Sequence, residues 1–259
     1  MGKKLAVIYG AVNYLMFFAV YAYLIGFLIN WGVPKSIDSG EITSPAISLL
    51  VNLGLLLLFG VQHSVMARPG FKRVWTKIIP KPIERSTYVL ISNLLLMLLF
   101  WQWRPMVETV WSLEREGDEA AWYHAAYVAF VAGVLIVPAA TLFINHFDLF
   151  GLRQVMLHLR GQDYRHLPFS VPGPYKFVRH PLYFGWIVMF WSTPVMTAGH
   201  LLFAVVLTSY ILVAIRFEER DLGREFGEMY ARYKRTTPML LPRLLPARPE
   251  EEEGVALAV

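Results

Sequence analysis

Six stretches of this chain are apolar with few charges inside them: 5–29, 47–66, 87–103, 122–145, 181–197 and 200–217. Each is 17 to 25 residues long, and at 1.5 Å per residue that length matches the ~30 Å hydrocarbon core of a bilayer. The pattern predicts an all-α, polytopic membrane bundle of about six transmembrane helices, with the lipid bilayer as its solvent. The last two stretches are separated by a very short turn near Thr197–His200, which predicts a tight antiparallel hairpin. Pro194 is placed to bend the first of the pair. One domain is expected over 1–245.

The polar islands alternate in sign. Lys3 and Lys4 precede the first stretch, and Arg68, Lys72, Arg73, Lys77, Lys81 and Arg85 face Glu84 alone in 67–86. Loop 104–121 is acidic, with Glu108, Glu114, Glu116, Asp118 and Glu119 against two arginines, and 146–180 is basic again. Basic loops stay on the cytoplasmic side. Six crossings then put both termini in the cytoplasm, and the reading is a bacterial inner-membrane protein. After the last crossing, Leu222, Phe226, Met229, Tyr230 and Tyr233 fall at helical spacing, predicting an amphipathic helix over 218–234. The acidic, proline-containing stretch Pro246–Gly254 predicts a disordered tail, 246–259.

Composition sharpens this picture. Charged residues make up 17% of the chain, against about 25% in soluble domains. The net charge of +5 sits beside the apolar runs, which is a membrane-orientation pattern and not a nucleic-acid footprint. No cysteine is present, so disulfides, thiolate metal sites and cysteine nucleophiles are excluded. The first stretch is too long for a signal-peptide core and reads as an uncleaved span. Neither H-E-x-x-H nor H-x₃-H spacing occurs, and no metal site is expected.

Polar residues gather where the expected cytoplasmic ends lie. Gln62-His63-Ser64 closes the second stretch, Glu84 to Tyr88 opens the third, and Asn145 to Gln154 closes the fourth. Ionisable groups at membrane depth mark function by default. The segment Gly173–Gly185 reads GPYKFVRHPLYFG. Proline favours the first position of a helix, which makes His180 an N-cap. The free N–H groups of that helix start attract an anion. Tyr183, one turn in, offers a ring and a hydroxyl. Glu218 and Glu219 close the following stretch, and a short hairpin returns them beside His180.

The pair RHPLY (Arg179–Tyr183) and Glu218-Glu219 resembles the C-terminal signature of the isoprenylcysteine carboxyl methyltransferase-like membrane proteins. Together with QHSVMAR, ERSTYVL and FDLFGLRQV it resembles the bacterial methanethiol S-methyltransferases, which sit near the NnrU-like proteins. The resemblance implies transfer of a methyl group from S-adenosyl-L-methionine to the small volatile thiol methanethiol, giving dimethyl sulfide. It places the cofactor in the part about 170–235, on Tyr175, Arg179, His180, Pro181, Tyr183, Glu218 and Glu219, with Gln154. A thiol acceptor calls for a base or a nearby cation, and His63, His146, Asp148 and Arg153 are the candidates. The shared signature also admits methylation of a prenylcysteine carboxylate or other lipid, a sterol-type reductase, and a non-enzymatic NnrU-like protein of nitrogen-oxide metabolism.

Overall fold

The computed structural model describes residues 2–243 and Leu245; the tail expected at 246–259 lies outside the described residues. The protein is an all-α integral membrane protein. Its long helices are α1 (Lys3–Leu28), α2 (Pro45–Ala67), α4 (Glu84–Gln102), α5 (Ala120–Ile144) and α9 (Ala198–Phe226). All five are long and apolar enough to cross a bilayer. The shorter helices are α3 (Pro69–Trp75), α6 (His146–Leu149), α7 (Leu152–Leu159), α8 (Pro181–Trp191) and α10 (Glu228–Thr236). Strands β1 (Thr109–Ser112) and β2 (Val195–Thr197) and three 3₁₀ turns (Lys81–Ile83, Gly117–Glu119 and Gly173–Lys176) complete the described elements.

Within the single domain expected over 1–245, packing separates two compact units. The first comprises Met1–His124, His146–His166 and Thr193–Leu207; the second comprises Ala125–Asn145, Leu167–Ser192 and the chain from Thr208.

In the first unit α4 packs on α1 and α2, and α7 on α1. The α1–α7 contact needs Gly10, where a Cβ would come within 2.9 Å of Val155. Gly151, at φ +85°, turns the chain from α6 into α7 against the start of α4. Leu5, Ile8, Val12 and Leu15 form an exposed apolar stripe along α1, as lipid-facing positions should. Trp31, Trp101 and Trp122 are exposed at one end of this unit, where indole rings anchor a membrane interface. Loop 29–44 closes that end. Fully buried Ile37 donates its N–H to Phe27 O at 2.9 Å and accepts the Trp103 indole N–H at 3.0 Å.

The fifth expected crossing, 181–197, is helical only to Trp191. Eleven residues rise ~16 Å, about half the hydrocarbon core. Pro194 explains the stop, because it pushes the preceding residue out of the α region. The chain continues extended, and its polar backbone is paired. β2 runs antiparallel to β1, with Thr109 opposite Thr197 and Ser112 opposite Val195. Leu113 N–H donates to Pro194 O at 2.9 Å, and Ala198 N–H to Glu108 O at 2.8 Å.

In the second unit α5 and α8 meet through glycines. A Cβ on Gly133 would sit 2.7 Å from Met189 N, and one on Gly185 would sit 2.8 Å from Ile136. Small residues give this backbone approach where no hydrophobic driving force separates helix from lipid. α8 lies antiparallel to the second half of α9, fixed at one end by Tyr183 and Glu218 and at the other by Trp191 Nε1 donating to Thr208 at 2.9 Å. The amphipathic helix expected over 218–234 is divided. α9 continues without interruption to Phe226, Gly227 breaks the path at φ +55°, and α10 follows. Tyr230 of the expected apolar face is buried, whereas Met229 is exposed.

The α5–α8 contact yields a test. Gly133→Val should overpack it, a loss of about 1–3 kcal/mol, and lower the melting midpoint of the detergent-solubilised protein by several degrees. Gly54→Val, at a position with open space around its Cα, should leave the midpoint unchanged.

Candidate active site

The start of α8 is built around one carboxylate. His180 occupies the N-cap and Pro181 the first helical position, as the sequence suggests. Glu219, from α9, is buried with Arg179 and His180. Arg179 donates Nε and Nη2 to Glu219 Oε1, both at 2.8 Å. His180 Nε2 stands 3.2 Å from the same oxygen, and Lys234 Nζ of α10 lies 2.7 Å from Oε2. The remaining guanidinium nitrogen, Nη1, reaches the carbonyls of Lys234 and Thr237. Both members of the Arg179–Glu219 pair are thereby saturated with partners.

The segment after α10 adds backbone bonds to this knot. Arg179 N–H donates to Pro238 O at 2.9 Å, His180 N–H to Met239 O at 3.2 Å, and Arg243 N–H to Phe177 O at 3.1 Å. Tyr175, buried in a short 3₁₀ turn (Gly173–Lys176), accepts the Tyr233 hydroxyl on its carbonyl at 2.7 Å. Burial raises the Tyr233 hydroxyl above the usual tyrosine range, so it acts as a donor at neutral pH.

Glu218 differs from its neighbour. It is half-buried, and its Oε2 accepts the Tyr183 hydroxyl at 2.9 Å. Its Oε1 makes no hydrogen bond among the described residues. Tyr175, Arg179, His180, Pro181, Tyr183, Glu218 and Glu219 are thus brought together in one unit, with Glu219 holding the frame and Glu218 and Tyr183 at its polar edge.

His63, His146, Asp148, Arg153 and Gln154 fall in the other unit. Asp148 Oδ1 accepts from Arg153 Nη1 at 2.9 Å, and Oδ2 from the Tyr164 hydroxyl at 3.1 Å. Arg153 also lies over the Tyr164 ring and donates to Arg165 O at 3.0 Å. Burial and the Asp148 carboxylate push the Tyr164 hydroxyl up to about 12. This trio pins 163–166 onto the α6–α7 turn. Gln154 Nε2 donates to Asp148 O at 3.1 Å, so its described contacts are with Asp148 and not with the Arg179–Glu219 cluster. Its Oε1 is buried without a partner, as are Trp75 Nε1, Glu84 Oε1 and Ser86 Oγ. Orphaned polar atoms of this kind mark room for water or ligand.

His146 is packed among Phe147, Phe150 and Tyr14, with the Tyr14 hydroxyl 2.6 Å from Nε2. Burial lowers its pKa, which keeps the imidazole neutral. His63 stacks on Phe59 at 5.2 Å and contacts the Tyr88 ring at 4.9 Å, and its Nδ1 is 3.1 Å from Ser92 Oγ. Arg85 lies over Tyr88 and donates to Leu149 O at 2.6 Å. Sequence reasoning missed Tyr14, Ser92, Tyr164 and Lys234. A tyrosine and a serine inside apolar spans were the available signal for the first two. Among the described residues no group of three or more His, Asp or Glu is arranged to hold a metal ion.

A family model for phospholipid methyltransferases matches residues 122–229, which contain α8 and all of α9. No solved structure matches the chain. Methanethiol S-methyltransferase 1 of Bradyrhizobium diazoefficiens is 52% identical over 240 residues, 93% of this chain and 83% of that protein. Methanethiol S-methyltransferases of Crocosphaera subtropica and Mycobacterium tuberculosis are each 48% identical over 242 residues, covering 93% of this chain and 93% and 98% of theirs. At that identity over nearly the whole length, the chain belongs to the methanethiol S-methyltransferase family.

Proposed function

We propose that this chain methylates methanethiol with S-adenosyl-L-methionine, giving dimethyl sulfide and S-adenosyl-L-homocysteine. The observation that carries the reading is the Arg179–His180–Glu219 knot with Glu218 and Tyr183 at its edge, inside the segment that the methyltransferase family model matches. These residues fit the donor. The start of α8 presents backbone N–H groups toward a carboxylate, and the open oxygen of Glu218 suits an ammonium or ribose hydroxyls. When bound, the sulfonium supplies a carbon already activated for displacement.

The protein's part is alignment and proton removal. Arg179, Glu219 and Lys234 lock α8, α9 and α10 so that Glu218 and Tyr183 keep their positions. Holding two reactants in line supplies much of the barrier reduction. A thiol with a pKa above the ~8.5 of cysteine is mostly protonated at neutral pH, so a base helps. His63 and His146 are the proposed bases. Asp148 and Arg153 are committed to each other and to Tyr164, and serve as a clamp.

Headspace dimethyl sulfide from purified protein given S-adenosyl-L-methionine and methanethiol tests the activity. No dimethyl sulfide, with methyl transfer to phosphatidylethanolamine vesicles instead, would move the reading to a lipid acceptor. Loss of a general base lowers turnover ~10²-fold or more. His63→Ala or His146→Ala should show that drop with S-adenosyl-L-homocysteine affinity unchanged, narrowing as pH approaches the thiol pKa. Wild-type turnover in both between about pH 6 and 9 would remove the histidines from the mechanism.

The two glutamates should separate. Glu218→Gln should weaken S-adenosyl-L-homocysteine binding roughly tenfold, one charge-assisted hydrogen bond, at an unchanged melting temperature. Glu219→Gln leaves Arg179 buried without its charge partner, which costs about 3–5 kcal/mol, and should lower the melting temperature. Equal effects in calorimetry and melting would refute the division of labour.

Both termini are proposed to face the cytoplasm of a bacterial inner membrane. The support is the basic content of 67–86 and 146–180 against the acidic loop 104–121. A C-terminal alkaline phosphatase fusion should be inactive and a fluorescent-protein fusion bright. The reverse result would put the C-terminus outside and refute this orientation.

A further inference from the structure

We infer that Ser92 fixes the tautomer of His63, holding its proton on Nδ1 and its lone pair on Nε2. The inference rests on the reading of His63 as thiol base and assigns Ser92 as the residue that positions it. Ser92 is buried in the middle of α4. Three groups surround its hydroxyl: His63 Nδ1 at 3.1 Å, Tyr88 O at 3.0 Å and Gln62 Oε1 at 3.4 Å. The Gln62 amide nitrogen points the other way, to Met66 Sδ at 3.0 Å, which leaves its oxygen toward Ser92.

Two of these three neighbours only accept hydrogen bonds, and a hydroxyl has a single proton. If Nδ1 also had to accept, three acceptors would compete for that proton. If Nδ1 carries the hydrogen, it donates to Ser92 Oγ, and the serine proton goes to Tyr88 O, four residues back in the same helix. That is the usual back-bond of a buried helical serine. One more contact is satisfied in this arrangement, and the bond made at one ring nitrogen decides what the other can do.

The ring plane is fixed independently, by Phe59 one turn earlier on α2 and by Tyr88 of α4. Arg85, lying over Tyr88, is tied to Leu149 O. The imidazole is therefore set in orientation by aromatic contacts and in tautomer by Ser92. In the reaction proposed above the thiol S–H bond breaks, its proton passes to Nε2 and its electron pair stays on sulfur; the imidazolium keeps its Nδ1–H bonded to Ser92 and releases the other proton to water.

The full-length protein in detergent, labelled with ¹⁵N-histidine, reads the tautomer directly. The chain has seven histidines, and the His63 signals are those lost in His63→Gln. At about pH 8, above the ordinary imidazole range, the wild type should show a protonated Nδ1 and an unprotonated Nε2. Ser92→Thr should keep that pattern. Ser92→Ala should mix or reverse it, with kcat lowered ~10-fold or more and KM for S-adenosyl-L-methionine unchanged, while Ser92→Thr restores turnover. A wild-type proton on Nε2, or an unchanged tautomer in Ser92→Ala, would overturn the inference; if Ser92→Ala unfolds, the wild-type spectrum alone decides. An Nδ1 proton together with full turnover in His63→Gln would uphold the role of Ser92 and refute His63 as the base.

Discussion

The second unit depends on the burial of one carboxylate. Glu219 sits buried on a transmembrane helix, where an unpaired charge would cost several kcal/mol. It is tolerated because Arg179, His180 and Lys234 meet it from the start of α8 and from α10. The same requirement sets the path of the chain: α8 must begin beside α9, and the segment after Gly227 must turn back so that Lys234 and the carbonyls of Lys234 and Thr237 can reach the cluster. A pair this saturated has no capacity left for a ligand. In the proposed reading, donor binding therefore falls to its edge, to Glu218 and Tyr183.

The spans were legible because lipid imposes a length and a polarity that any 20-residue window reveals. Their ends were harder. The fifth crossing reads as continuous helix, since Trp191, Val195 and Met196 are as apolar as what precedes them. What the extended stretch needs is a hydrogen-bonding partner, and that partner, Thr109–Ser112, lies more than eighty residues earlier. Likewise, the separate helix expected over 218–234 is divided: α9 runs on through Glu218 and Glu219 to Phe226, and the break falls at Gly227.

The candidate site was legible to the extent that its parts are local. Arg179 to Tyr183 forms a helix start whose chemistry follows from Pro181. The unequal roles of Glu218 and Glu219 were not legible, because a helix places consecutive residues about 100° apart and only tertiary structure says which one is buried. Asp148 reads in sequence as a free carboxylate near a histidine; Arg153 and Tyr164 fold back to occupy both its oxygens. Ser92 and Tyr14 look like ordinary residues of apolar spans until the histidines they contact are located.

The size of the proposed acceptor explains why the protein carries so much fixed structure. Methanethiol has two heavy atoms. At a ceiling of about 1.5 kcal/mol per heavy atom, its binding contributes roughly 3 kcal/mol, a dissociation constant in the millimolar range. So little binding energy cannot reshape a site, select a tautomer or draw distant groups together. Orientation must be present beforehand. The buried Glu219 knot in one unit, and a histidine held by Phe59, Tyr88 and Ser92 in the other, are two rigid devices of that kind. Each is stabilised by folding rather than by substrate, so the enzyme can act on a molecule too small to induce anything.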